Sequence, residues 1–430
     1  MSLLAHRVSA NAVTDWNAAL GAAQKATGQT PSAVGRQSAI VHAAVFDAVN
    51  GIVRKYTPYF VCRDVPKGAS ADAAAVQAAY TALLSLFPTQ QPQLDAQLAT
   101  SLAALAVYSG NSQSITDGRA WGEYVAQQII AWRATDGILN QFTFLGGTQP
   151  GYWRNPPDGG ITGVSVQYAT MVPFTMKRPT QFRPGPPYGS NDRLTALTSA
   201  AYAADVNEIK AIGSATSVTR TAEQTQLALL WAAVDNTDEN RAIRSVVSAS
   251  TSLVDTARLF ALANFAAADA VIAVFDSKYA YGLWRPYHAI RLADTDNNPA
   301  TEADPNWTPL ATTPRHPEYL SGHVISTSSA FGVAALLLGD AQTFTLSSPG
   351  YPGKTQSFSS FSAAVNEVVE ARIWIGFHFR TTDEESRDTG YEIAIYVVRN
   401  FLRPRHYEGH GWDDDDRRCV MKAGDSGDAH

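Results

Sequence analysis

Apolar residues recur three and four positions apart through most of the chain, the spacing of helices that bury one face. In the Ala-rich stretch from about Val8 to Arg133 this pattern predicts helices near 9–26, 35–52, 70–87, 92–107 and 113–134, with breaks at Thr30-Pro31, Thr57-Pro58 and Phe87-Pro88. Helices resume near 199–213, at 221–235 behind a Thr221-x-x-Gln224 capping box, and at 251–277. A small and apolar run starts after Ser321 and ends near Gly339, and two more helices fall near 360–375 and 383–402. Strand signals are scarce, so the expected fold class is all-α, with helices packed as bundles. The expected organisation is an N-terminal helical scaffold over 1–145, a Gly/Pro-rich connecting loop over 146–198, a C-terminal helical bundle over 199–410 and a polar tail over 411–430, forming one compact unit. The loop carries Tyr152, Trp153, Phe174 and Phe182, and a stretch that long suits the wall of an entrance.

Three clusters break the apolar pattern. In NFAAADAVIAVFDSK the stripe Ala267, Val271, Val274 continues onto Lys278, and in the segment from Ala363 the stripe Val365, Val368, Val369 leads to Arg372. A cation on a core face must find an anion or a polar cavity, because an isolated buried charge costs several kcal/mol. Glu367 or Glu370 could supply that anion, which would make the cations structural. The cluster HPEYLSGH argues for an external one: Ser321 reads as an N-cap, leaving the N–H groups of Gly322 and His323 at a helix N-terminus, where anions are favoured.

Spacing adds a constraint. Arg372 and His378 are six apart, about 600° at helical pitch, and so diverge on a continuous helix. Gly376 lets the helix stop so that His378 can turn back. Lys278 and Arg285 are similarly separated by Gly282, with Pro286 following, which predicts a turn or a broken helix. On the helix RQSAIVHAAVFDAVNGI, Arg36, His42, Asp47 and Asn50 read as satisfied core or interface groups, or as remote support for the site.

Composition narrows the function. The chain has 430 residues, a formal charge of −6 and a pI near 5.8, so no basic field exists for nucleic acid. Cys62 and Cys419 are too few for a zinc ligand set and are expected to be two free thiols, with one long-range disulfide as the alternative. No run of 18 apolar residues occurs, and MSLLAHRVSANAV lacks a basic n-region with an apolar core, so neither a membrane span nor an export signal is expected. The compartment and any homo-oligomer are left open. The acidic run Asp413–Asp416 reads as solvated rather than metal-binding. Dinucleotide, P-loop, zinc-protease, serine-hydrolase and di-iron motifs do not occur.

Taken together, Lys278-x6-Arg285-Pro286, the Ser321-Gly322-His323 element and Arg372-x5-His378 resemble the signature of the vanadium-dependent haloperoxidases and the related acid and lipid phosphatases, the type 2 phosphatidic acid phosphatase superfamily. RQSAIVHAAVFDAVNGI, PGYWRNPP, PTQFRPGPP and TRTAEQTQLALLWA are similar to the haloperoxidase-like branch rather than to the membrane-bound lipid phosphatases, and the likeness covers most of 9–407. It implies a vanadium haloperoxidase-like helical fold with orthovanadate as cofactor. Lys278, Arg285 and Arg372 would neutralise its equatorial oxygens, Ser321 and the Gly322 N–H would hydrogen-bond to it, His378 would bind the metal through Nε2, and His323 would be the acid–base residue. The chain departs from the family pattern in Leu320 where Pro is usual, Ala371 where Ser is usual, and Thr382 where an Asp would orient the histidine, with Asp383 next. His316 resembles an extra histidine of bromoperoxidases.

The resemblance implies a peroxidase that oxidises halide, bromide ahead of chloride, with hydrogen peroxide to a hypohalous acid equivalent, and that acts on small molecules including an organic acceptor. The alternative is a soluble acid phosphatase holding phosphate in the same site, with His378 as a phosphohistidine nucleophile and His323 protonating the leaving group. A third reading is a non-catalytic helical protein in which the clusters form structural ion pairs.

Overall fold

The computed structural model describes residues 11–109, 111–157, 160 and 162–405. The acidic run Asp413–Asp416, the rest of the polar tail and Cys419 lie outside the described residues, as do the first residues of the helix expected from position 9.

Helices dominate because Ala-rich amphipathic segments carry good caps. The first five are α1 (Ala12–Ala26), α2 (Pro31–Val53), α3 (Ala71–Leu86), α4 (Gln91–Ser109) and α5 (Ser112–Arg133). Thr30-Pro31 separates α1 from α2 as expected, but by opening the second helix: Thr30 caps the N–H of Ala33 and Pro31 takes the first helical position, where its missing N–H costs nothing, so α2 begins four residues before the expected start. The polar groups of α2 are structural. Asp47 accepts from the backbone N–H groups of Tyr59, Phe60 and Val61, Asn50 pairs with the backbone of Tyr56, His42 meets Asn17, and Arg36 donates to the Arg133 carbonyl. These helices belong to one compact unit, residues 1–135 with 243–265 and 396–430; residues 136–242 and 266–395 form the other.

Next come α6 (Arg193–Leu197), α7 (Ala200–Ile212), α8 (Ala222–Ala233), α9 (Asn236–Val246), α10 (Leu253–Tyr281), α11 (Pro286–Arg291), α12 (Gly322–Leu338), α13 (Phe361–Trp374) and α14 (Arg380–Asn400). The Thr221/Gln224 capping box of α8 forms with both reciprocal bonds. The pattern did not reveal α9, whose sequence NTDENRAIRSV is too polar to read as helix; the Asp235 carboxylate starts it by accepting from the Thr237 N–H. α10 is long and apolar enough to cross a membrane by composition, but that window is wholly buried in protein, as in a core helix. Cys62 is disulfide-bonded, which corrects the expectation of two free thiols.

One antiparallel hairpin was not expected. β1 (Phe344–Ser348) pairs with β2 (Tyr351–Phe358), and register places Phe344 opposite Phe358 on the buried face. Phe344 packs against Phe331 of α12 and Phe361 of α13, each burial contributing about 1.5–3 kcal/mol. α12 and α14 approach closely at Gly390, where a Cβ would meet Ser328 Oγ at 2.0 Å. This contact sets the N-terminus of α12 beside that of α14, with Ser386 Oγ accepting from the Ser321 N–H at 2.8 Å.

Candidate active site around an anion-binding helix N-terminus

Breaks in the helices bring the predicted residues together. Gly282 adopts a φ of 57° and ends α10 just beyond Lys278; Arg285 then caps α11, with Pro286 at its first position. At the end of α13, Gly376 adopts a φ of 83°, and the Phe377 and Gly376 N–H groups bond the carbonyls of Arg372 and Ile373. That Schellman closure turns His378 back toward the helix it follows.

The Lys278 ammonium is buried and donates to the carbonyls of Pro317 at 2.8 Å, Glu318 at 2.9 Å and Leu320. An ammonium has three hydrogens, so all are committed to the 316–321 loop. Arg285 is equally buried. Its Nε donates to the His316 carbonyl at 2.9 Å, Nη1 lies 3.0 Å from the Phe377 carbonyl and 2.8 Å from His378 Nε2, and Nη2 lies 2.9 Å from His316 Nδ1. Arg372 is different. Its Nε and Nη1 are buried with no hydrogen-bond partner, and the guanidinium sits over the Phe377 ring at 5.0 Å.

The two glutamates of α13 that could have neutralised Arg372 are used elsewhere, which leaves Asp383 as the carboxyl that acts on it. Glu367 accepts from Trp231 and Gln356, and Glu370 from Arg380. Burial lowers Arg372 to about 10, with Asp383 opposing, and lowers Arg285 to about 10, with Glu318 opposing; both remain cations near neutral pH. Burial and then Arg285 push Lys278 well below its ordinary value. Against these cations stand two buried carboxyls, Glu318 and Asp383, both raised chiefly by burial. The cluster therefore carries surplus positive charge, which a bound anion would relieve.

Ser321 occupies the N-cap of α12, as its position predicts, but its side chain caps nothing; Oγ is buried without a hydrogen-bond partner, beside Asp383. A Cβ at Gly322 would touch nothing within 4 Å, so the first turn of α12 opens onto free space. His323, on that same turn, is half-buried, and burial and Arg372 hold its imidazole well below its usual pKa. His316 is half-buried too, with its ring edge-on to Phe275 at 5.5 Å.

The orientation of His378 comes from a residue that sequence reasoning passed over. His378 Nδ1 lies 3.0 Å from Glu318 Oε1, which also accepts from the Phe379 N–H at 3.1 Å, while Oε2 accepts from Thr382 Oγ1 at 2.7 Å. Thr382, a departure from the family pattern, thus supports a carboxylate supplied from the HPEYLSGH segment. Glu318 stands two residues after His316 in a cluster already singled out. Burial, Arg285 and Lys278 all lower the pKa of His378, so the ring is neutral at ordinary pH.

Residues 258–406 match the family model described as the VCPO second helical-bundle domain. The first bacterial vanadium-dependent iodoperoxidase of known structure superposes with a TM-score of 0.72 at 22% identity, covering 92% of this chain and 97% of that one. A bacterial vanadium-dependent chloroperoxidase in its holo form gives 0.67 at 17% identity over 86% of this chain and 92% of that one, and the apo form gives 0.65 at 17% over 85% and 92%. No curated protein matches the sequence. The fold is that of the vanadium haloperoxidases, and residues 258–406 carry the match to the second helical-bundle domain of that family.

Proposed function

We propose that the protein is a vanadate-dependent haloperoxidase that uses hydrogen peroxide to oxidise halide to a hypohalous acid equivalent. The observation that carries this reading is the set of unpartnered buried donors, Arg372 Nε, Arg372 Nη1 and Ser321 Oγ, beside the uncapped start of α12 and a neutral His378. This donor set fits a tetrahedral oxyanion. Arg372, Ser321 and the Gly322 N–H would hold vanadate, with Arg285 and Lys278 adding charge and His378 Nε2 serving as the metal ligand. Bound vanadate supplies Lewis-acid activation of hydrogen peroxide at constant oxidation state.

The chain's own residues do the rest. Arg285 Nη1 lies 2.8 Å from His378 Nε2 and would yield that position for Nε2 to act as a ligand. Lys278 fixes the 316–321 loop through its carbonyl bonds and thereby the N-terminus of α12. A neutral His323 can accept a proton from peroxide and return it later. His316 beside Arg285 supports bromide over chloride in this reading.

A second reading is favoured by one observation, the His378–Glu318 pair. A histidine with its Nδ1 proton held by a carboxylate is also suited to attack phosphorus, so the same site could serve a soluble acid phosphatase. Purified protein given orthovanadate and peroxide should brominate a β-diketone reporter, at a higher rate with bromide than with chloride. Hydrolysis of phosphate esters without halide oxidation, inhibited by vanadate, would instead establish the phosphatase.

A further inference from the structure

We propose that Glu318 is the positioning residue of this site, fixing His378 in the tautomer that carries its proton on Nδ1 and presents the Nε2 lone pair to the anion. The role assigned to Nε2 rests on the functional reading above; the tautomer rests on the geometry alone. His378 Nδ1 lies 3.0 Å from Glu318 Oε1, and a carboxylate whose oxygens otherwise take the Phe379 N–H and the Thr382 hydroxyl can only accept, so the proton of the neutral ring sits on Nδ1. Nε2 is then the bare nitrogen, with Arg285 Nη1 2.8 Å from it and 3.5 Å from Nδ1.

Glu318 is itself immobilised at every polar atom of its side chain. Oε1 also accepts from the Phe379 N–H and Oε2 from Thr382 Oγ1, while its own carbonyl accepts from Lys278 Nζ. One residue thus ties together the Lys278 cluster, its own HPEYLSGH cluster and the Arg372–His378 cluster. A carboxylate on the far nitrogen also makes Nε2 more basic, which strengthens it as ligand or nucleophile. Thr382, four residues after the histidine, donates to Glu318 Oε2 and so holds the carboxylate against the ring.

The test is the imidazole tautomer in the full chain without vanadate, read from long-range 1H–15N correlation on protein labelled with 15N-histidine. The His378 signals among the nine histidines are assigned by their loss in His378→Gln. The wild-type protein should show Nδ1–H and a bare Nε2. Glu318→Gln, which retains an acceptor oxygen, should keep that tautomer; Glu318→Leu should shift to Nε2–H or a mixture and lower orthovanadate affinity about 10- to 100-fold. An Nε2–H or doubly protonated His378 in wild type, or an unchanged tautomer in folded Glu318→Leu, overturns the proposal. The wild-type spectrum decides the matter even where the leucine variant fails to fold. Because the tautomer is read without vanadate, failure of peroxidase activity would refute the proposed function and leave this result standing.

Discussion

Glu370 and Arg372 stand two residues apart on α13, yet their charges do not meet: Glu370 accepts from Arg380, while Arg372 is buried with Nε and Nη1 unpartnered. A buried cation left without donor contacts destabilises the anion-free fold by several kcal/mol unless something binds it. Arg372→Met should therefore raise the stability of the anion-free protein, by roughly 1 kcal/mol or more, and abolish the gain in melting temperature that wild type shows with phosphate or vanadate. Thermal unfolding with and without each anion checks both signs.

Lys278 should behave in the opposite way. Its three donors already hold the carbonyls of residues 317, 318 and 320, so Lys278→Ala strands buried acceptors and frees the loop. The loss should be about 2–4 kcal/mol in urea unfolding without any anion. Faster amide exchange concentrated in residues 316–323 is the expected signature. A lysine that acted on the oxyanion alone would show neither effect.

Acid stability should depend on buried neutral histidines. Burial lowers His42 to about 3 and His288 to about 4, so both are neutral in the folded protein where an unfolded histidine, near pH 6.5, takes a proton. The unfolded state then binds more protons, and stability falls by about 1.4 kcal/mol per pH unit for each residue as pH drops below 6.5, to about 4 for His288 and about 3 for His42. Asp47 and Asp205, raised by burial to about 6, act oppositely: the folded state binds more protons between about 4 and 6 and gains stability as pH falls through that window. The wild-type curve sums these terms, so the difference between wild type and His42→Gln isolates one of them. That difference should shrink as pH falls from 6.5 toward 4, and a constant offset would contradict it.

Much of this architecture could be read from residue order because it depends on local rules. Gly282 and Gly376 end helices through a positive φ, Pro286 opens one at its first position, and Thr221 with Gln224 caps one without help from the rest of the fold. The buried-side placement of Lys278 and Arg372 follows from helical period in the same way. The hairpin and α9 escaped because their stability comes from tertiary contact: Phe344 finds Phe331 and Phe361, and Phe358 finds Trp231, only in the folded chain, and α9 looks polar until packed. Glu318 escaped for a related reason. Its partners His378, Phe379 and Thr382 lie about sixty residues away, and no local spacing encodes that meeting.

Arg372, Ser321 and His378 are expected to surround one tetrahedral oxyanion. Anomalous scattering at the vanadium edge, from crystals soaked in orthovanadate, tests it most directly. The expected result is a single peak within bonding distance of His378 Nε2, next to Arg372 and the first turn of α12, which disappears in Arg372→Ala. No peak, or one held by other residues while His378 Nε2 stays on Arg285, would contradict the account.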